Sequence, residues 1–126
     1  MATTNLTAEN FESTITGNGI VLVDFWAEWC GPCRAFGPVF EKVSEANTDI
    51  VFGKVDTEAE PALAGSFGIT SIPTMMIFRE EVLVYAQPGA LPEQSLVQIV
   101  EAVRNLDMEE VRAQIAEQDK APAGTN

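Results

Sequence analysis

The stretch IVLVDFWA (residues 20–27) constrains the fold more than any other part of the chain. It is apolar at every position except Asp24, and it is rich in the β-branched and aromatic residues that favour strands. A strand with apolar side chains on both faces has to be covered on both faces. The sequence therefore predicts an α/β domain built around a central strand that carries one acid.

The remaining segments extend this pattern, with strands that alternate with amphipathic helices. Helices are predicted at residues 7–16 (with Thr7 as N-cap), 31–46, 58–67 and 92–106, and strands at residues 50–56, 73–78 and 82–86. The last two strands are joined through Arg79, Glu80 and Glu81 and should form an antiparallel pair. This order predicts a mixed central β-sheet flanked by α-helices on both faces.

One domain is expected over residues 1–106, because the chain shows no internal repeat and no second core. Residues 107–126 are interpreted as a C-terminal extension. Its first part, DMEEVRAQIAEQ, is expected to extend the last helix, with Met108, Val111 and Ile115 on one side. Its second part, DKAPAGTN, is expected to be disordered.

Charge excludes two classes of partner. The formal net charge is −12, from 7 basic and 19 acidic residues with no histidine. Nucleic acids and anionic membranes require clustered lysine and arginine, so neither is expected as a partner. The first residues, MATTNLTAENF, lack the basic and apolar regions of a secretory signal, and the apolar run at residues 20–27 is too short to span a bilayer. We therefore expect a cytosolic protein.

The two cysteines of the chain, Cys30 and Cys33, flank Gly31 and Pro32 directly after the central strand. Cys30 falls at the predicted start of a helix, where unpaired amides and the helix dipole favour negative charge. Pro32 has no N–H, but the amide of Cys33 is free to point at the Cys30 sulfur. This arrangement stabilises a thiolate, which is the form that attacks disulfides. Cys33 lies one turn on, should be more buried, and can resolve the mixed disulfide.

Two other interpretations of the pair remain open. A zinc site needs about four nitrogen or sulfur ligands, and two cysteines without histidine would supply only half of them. A structural bridge across three residues closes a very small loop and constrains the unfolded chain little. Redox chemistry is favoured over both, since a close cysteine pair in a reducing cytosol is more often catalytic than structural.

At these residues the sequence resembles the thioredoxin family. WCGPC is the active-site signature of that family, and VDFWAEWCGPC, FGITSIPT and GAL (89–91) match it in order and spacing. The resemblance covers about residues 6–106 and implies the same mixed sheet. It also implies an oxidoreductase activity with no bound cofactor or metal.

The resemblance implies a role for each matching residue. Cys30 matches the exposed nucleophile and Cys33 the resolving cysteine. Asp24 matches a buried acid that helps to move the Cys33 proton, and Lys54 a lysine that pairs with this acid. Asp24 could instead be an acid at the edge of the strand that hydrogen-bonds to backbone or water. Lys54 could instead extend to the surface.

A substrate groove is implied by a second set of matches. Trp29 matches the aromatic residue beside the pair, although half-buried packing against the loop is compatible with the same position. Pro73 matches a cis-proline that turns the Ile72 backbone towards the site, where a client peptide can pair as an added strand. Gly89 and Ala90 match a second wall of the groove, where Gly89 could equally be a turn residue. The hairpin FREEV departs from the family by lacking its turn glycine.

The sequence and the resemblance together predict a monomeric, cytosolic protein-disulfide reductase. An NADPH-dependent thioredoxin reductase would reduce it, so NADPH would act indirectly, and disulfide-containing client proteins would oxidise it. The alternative is a protein-binding module that uses the same groove, with the redox state of the cysteines as a switch or without importance.

Overall fold

The computed structural model describes residues 2–120 as an α/β domain around a five-stranded mixed sheet. The strands are β1 (Thr3–Asn5), β2 (Ile20–Trp26), β3 (Val51–Asp56), β4 (Thr74–Arg79) and β5 (Val82–Pro88). The helices are α1 (Phe11–Gly17), α2 (Gly31–Glu45), α3 (Pro61–Ser66), α4 (Glu93–Arg104) and α5 (Met108–Lys120). The sheet order is β1-β3-β2-β4-β5, with β1, β3 and β2 parallel and with β4 and β5 antiparallel to their neighbours. The predicted mixed sheet and the antiparallel pair are confirmed.

Strand β2 is the centre of the fold, as its composition predicts. Successive side chains of a strand point to opposite faces, and those of β2 enter two different cores. Leu22 packs with Phe36 of α2 and Leu96 of α4 on one face. Val21, Val23 and Phe25 pack on the other face, in a core that includes Phe11 and Ile15 of α1 and Ala64 of α3. The helices therefore cover both faces, and Asp24 lies on the same face as Leu22.

The N-terminal segment differs from the prediction. Residues 3–5 form an edge strand that three polar residues did not indicate, and it pairs with β3. Helix α1 begins at Phe11, so Thr7 is not its N-cap. Instead, the Asn10 side chain accepts a hydrogen bond from the Thr7 amide at 2.8 Å and holds residues 7–10 in a turn.

The C-terminal segment also differs, because α5 is a separate helix and not an extension of α4. Helix α4 ends at Arg104. The Arg79 guanidinium caps this end by donating to Val103 O at 2.8 Å, and it also donates to Leu106 O beyond the helix at 2.7 Å. Met108 is buried, and Arg112 bonds Glu80 at 2.8 Å. DKAPAGTN (119–126) was predicted to be disordered. Residues 121–126 of this segment lie outside the described part of the chain. No helix among residues 2–120 is long and apolar enough to cross a membrane.

The β4–β5 turn forms although the sequence FREEV lacks the turn glycine of the family. Glu80 and Glu81 both adopt left-handed backbone conformations, with φ of 52° and 69°. Two such residues give the twist that a two-residue hairpin needs, and Asn or Gly usually occupy them. The Glu80 amide bonds Gly19 O at 2.8 Å and its carboxylate bonds Arg112, so tertiary contacts stabilise the turn.

We predict that Glu81→Gly raises the free energy of unfolding by about 0.5–1 kcal/mol. A left-handed conformation costs a residue with a Cβ roughly 1–2 kcal/mol, and glycine avoids this cost while adding entropy to the unfolded chain. Urea denaturation measures the change. The matched control is Glu81→Ala, which removes the same exposed carboxylate but keeps the Cβ. Equal stability of the two variants would contradict the backbone explanation.

Candidate active site

The cysteine pair sits at the start of α2 with the geometry that the sequence predicts. Cys30 is the N-cap of the helix, in extended backbone conformation, and Pro32 follows in the first turn. The Cys33 amide donates to Cys30 Sγ at 3.2 Å. The two cysteines form a disulfide with their Cα atoms 5.2 Å apart. An amide and a helix N-terminus therefore face the sulfur of Cys30, and both favour negative charge there.

Burial does not distinguish the two sulfurs in this bridged state. Cys30 is 4% exposed and Cys33 is 3% exposed, so Cys30 is not the exposed member of the pair that the resemblance implied. The reason is that Ala27, Trp26 and Ile72 pack around both cysteines. Trp29, by contrast, is 67% exposed, which rules out half-buried packing and leaves its ring free beside the pair.

The segment before β4 faces the cysteines across a cis peptide bond. Pro73 is cis, as the resemblance implied, and the Ile72 carbonyl oxygen lies 3.7 Å from Cys30 Sγ. The Gly89 amide donates to Pro73 O at 2.7 Å, and its φ of 109° favours glycine at this position. Gly89 is thus both a turn residue and a neighbour of the cis-proline. Ala90 follows it and is exposed, and no hydrogen bond of the described residues ties it to the pair.

Asp24 is completely buried in the central strand. Within residues 2–120, neither of its carboxylate oxygens has a hydrogen-bond partner, so backbone groups do not satisfy the acid. Burial raises its pKa from 3.8 to about 7, and the positive charge of Lys54 partly offsets this rise. The acid can therefore exist with and without its proton near neutral pH.

Lys54 does not form the ion pair with Asp24 that the resemblance implied. The two residues are directly opposite in the register of β2 and β3, yet no salt bridge joins them among those of the described residues. The Lys54 ammonium instead lies 4.8 Å from the ring centroid of Trp26. The lysine is half-buried, so it also does not extend freely to the surface.

Trp26 is the residue of this site that the sequence reasoning missed. It contacts the cysteine cluster and lies under the Lys54 ammonium. Its position two residues after Asp24 placed it on the same face of the strand, which was a usable signal. No group of three or more potential metal-ligating side chains lies together in residues 2–120, which gives the metal interpretation no support.

A sheet of this topology, with a bridged Cys-Gly-Pro-Cys at a helix start and a cis-proline opposite, defines a protein-disulfide oxidoreductase. The family model described as Thioredoxin matches residues 2–102, and the chain belongs to the thioredoxin family.

Known thioredoxins are similar to this chain in sequence and in structure. It is 63% identical over 123 residues to the "Putative thioredoxin 2" of Streptomyces coelicolor, covering 98% of this chain and 91% of that protein. It is 43% identical over 96 residues to a thioredoxin of Alicyclobacillus acidocaldarius, covering 75% and 91%. The spinach chloroplast thioredoxin F structure has a TM-score of 0.75 at 30% identity and covers 82% of this chain and 95% of that one.

Proposed function

We propose that this chain is a cytosolic, monomeric reductase that carries electrons from an NADPH-dependent thioredoxin reductase to disulfides of client proteins, without a bound cofactor. The observation that carries the proposal is the hydrogen bond from the Cys33 amide to Cys30 Sγ at the start of α2. These groups stabilise a thiolate at Cys30, and thiolate is the attacking species in disulfide exchange.

The exchange balances within the pair. The Cys30 thiolate attacks one sulfur of the client disulfide, which forms a mixed disulfide and releases the other client sulfur as a thiolate. The Cys33 thiolate then attacks Cys30 Sγ, which breaks the bond to the client and closes the Cys30–Cys33 bridge. The client gains two electrons and the pair loses two. The reductase restores the dithiol with two electrons that come from NADPH.

Asp24 would assist the second step by taking up the proton of the Cys33 thiol. A general base acts best when its pKa lies near the working pH, and the pKa of Asp24 is about 7 because the carboxyl is buried. Lys54 would adjust this proton affinity through its charge.

The client would bind across the surface formed by Trp29, Ile72, Pro73, Gly89 and Ala90. Trp29 offers an exposed ring, and the cis bond at Pro73 presents the Ile72 backbone next to Cys30. An extended client segment could pair with this backbone as an added strand. Gly31 and Pro32 are exposed between the two buried cysteines and would support the active-site turn that the client approaches.

Two measurements test the proposal. With NADPH, a thioredoxin reductase and insulin, we expect the protein to sustain NADPH consumption and insulin reduction. We expect an equilibrium potential against glutathione near the value of thioredoxins, about −270 mV. A potential near that of the periplasmic oxidants, about −120 mV, would contradict a reducing role.

A further inference from the structure

Four residues of β2 and β3 form two directly opposed pairs on one face of the sheet. Asp24 is opposite Lys54 and Trp26 is opposite Asp56, and side chains two apart on a strand share a face. From this register, the Lys54 ammonium could contact the opposed Asp24 carboxyl or lean along the strand to its diagonal neighbour Trp26. It lies over the Trp26 ring, 4.8 Å from the centroid, while both Asp24 oxygens stay without a hydrogen bond from residues 2–120.

Confinement does not explain this choice. Lys54 and Trp26 border a cavity of about 260 Å³, which leaves the lysine side chain room to move. Gly37 of α2 lies on the other side, and even a Cβ added there would be 3.8 Å from Lys54 Nζ. Attraction between the ammonium and the negative face of the indole accounts for the observed position.

The other acids around the cavity each accept a backbone amide. Asp56 Oδ1 accepts the Glu58 amide at 2.9 Å, and Glu60 Oε1 accepts the Ala8 amide at 2.8 Å. Neither forms a salt bridge with Lys54 among the pairs of the described residues. The negative face of the indole is thus the favourable contact that remains for the ammonium, and a partly desolvated tryptophan is the strongest of the aromatic partners for a cation.

The distance between Lys54 and Asp24 matters because a positive charge in contact with a carboxyl favours its ionised form strongly. Such contact lowers a carboxyl pKa by about 1–3 units. An acid held ionised in this way would take up a proton poorly. When the Lys54 ammonium stays on the Trp26 ring, Asp24 can populate both its protonated and its ionised form near neutral pH.

We infer that Trp26 is a positioning residue whose indole face holds the Lys54 ammonium away from the Asp24 carboxyl, so that this acid can accept and return a proton during disulfide exchange. The inference rests on the proposed role of Asp24. Trp26 also packs against the cluster of Ala27, Cys30 and Cys33, so the same residue contacts both the lysine and the cysteine cluster.

Few other charges face these groups. On β3 they are Lys54 and Asp56, and Glu60 lies across the cavity before α3. Asp24 is opposite Met75 on β4, and α2 contributes the uncharged Gly37. The end of β1 contributes Asn5 and the segment after it contributes Thr7. Lys54 is thus the cation whose position can change the proton affinity of Asp24.

The test reduces the negative charge on the face of the Trp26 ring with little change in the shape of the side chain. Tryptophan analogues with increasing fluorination are incorporated at position 26, because fluorine withdraws charge from the ring face. The Asp24 carboxyl is then titrated by carbon NMR in the disulfide-bridged protein, with Asp24→Asn to assign its signal. We expect the pKa of Asp24 to fall progressively, by about one unit for the tetrafluoro analogue, which is a tenfold loss of proton affinity.

A double-variant comparison separates positioning from packing. In a Lys54→Met background the same analogues should leave the Asp24 titration unchanged, because no ammonium remains to move. The tetrafluoro analogue at the exposed Trp29 should also have no effect. Three results would each overturn the inference: an unchanged or raised pKa with the analogue at position 26, a shift that persists in the Lys54→Met background, or an equal shift from position 29.

The readout is independent of turnover. If insulin reduction fails while the titration behaves as expected, the proposed function is wrong and the positioning by Trp26 stands. If turnover succeeds but the Lys54-dependent shift is absent, only the inference about Trp26 is lost.

Discussion

Replacing Cys30 with serine is expected to reduce insulin turnover to the uncatalysed rate. The attacking species is a thiolate, and a serine hydroxyl stays protonated at neutral pH even beside the Cys33 amide that donates to position 30. The reaction would therefore stop before the mixed disulfide forms. The coupled assay with NADPH and thioredoxin reductase measures the loss.

Cys33→Ser is the matched control, since it keeps the attacking sulfur and removes the resolving one. It is expected to accumulate a mixed disulfide through Cys30, visible by mass and released by dithiothreitol. Undiminished turnover in Cys30→Ser, or trapping through Cys33 in that variant, would contradict the assigned order of attack.

The double variant Cys30→Ser, Cys33→Ser addresses the alternative of a binding module. If the protein is a reductase, the double variant should no longer retain client proteins, because clients are held through the mixed disulfide with a cysteine. Full retention of partner binding by the double variant would favour a module that uses the groove near Trp29 and Pro73. The burial in the central strand of an acid without a hydrogen-bond partner among residues 2–120 favours the reductase, since binding alone has no use for it.

The second large effect is the pH dependence of stability that Asp24 confers. Its pKa is about 7 in the folded protein because the carboxyl is buried, against an ordinary value of 3.8. Between these values the folded state holds a proton that the unfolded state has lost, so stability falls as pH rises. The difference of about 3 units corresponds to roughly 4 kcal/mol at 1.36 kcal/mol per unit. The loss is complete once the pH is well above 7.

Asp24→Asn is expected to remove this slope. Urea denaturation of the disulfide-bridged protein from pH 4 to pH 9 should show wild-type stability falling relative to the variant by up to about 4 kcal/mol. Asp49→Asn is the control, because its bond to Arg104 lowers the pKa of Asp49 to about 2 and Asp49 adds no change in stability above about pH 5. Parallel pH profiles for wild type and Asp24→Asn would mean that folding does not raise the pKa of the Asp24 carboxyl.

Local patterns predicted the parts of the fold that carry strong local signals. The apolar run at residues 20–27 indicated a central strand, and β2 is that strand. The 3.6-residue spacing of Leu96, Ile99, Val100 and Val103 indicated α4. Leu96, Val100 and Val103 are buried, and Ile99 packs partly buried against the same core. Periodicity of this kind depends only on which face of an element meets the core, and it can be read without the rest of the structure.

The predictions that were wrong concern segments whose structure depends on residues far away in the sequence. The strand at Thr3–Asn5 has no apolar pattern, and it exists because the free edge of β3 pairs with it. The extension after residue 106 forms a separate helix, and Arg79 from β4 donates to the carbonyls of Val103 and Leu106 where α4 ends. Both outcomes rest on hydrogen bonds between residues far apart in sequence, which local patterns do not contain.

For the site, the sequence alone determined the chemistry of Cys30 and Cys33, because a helix start and a spacing of three residues fix which amide faces which sulfur. It also indicated a buried Asp24, since the strand around it is apolar, and the structure excludes the alternative of an acid at the edge of the strand. Only the tertiary structure decided where the Lys54 ammonium lies. Register placed it opposite Asp24, but a charge goes to the most favourable group within reach, and that group is the ring of Trp26.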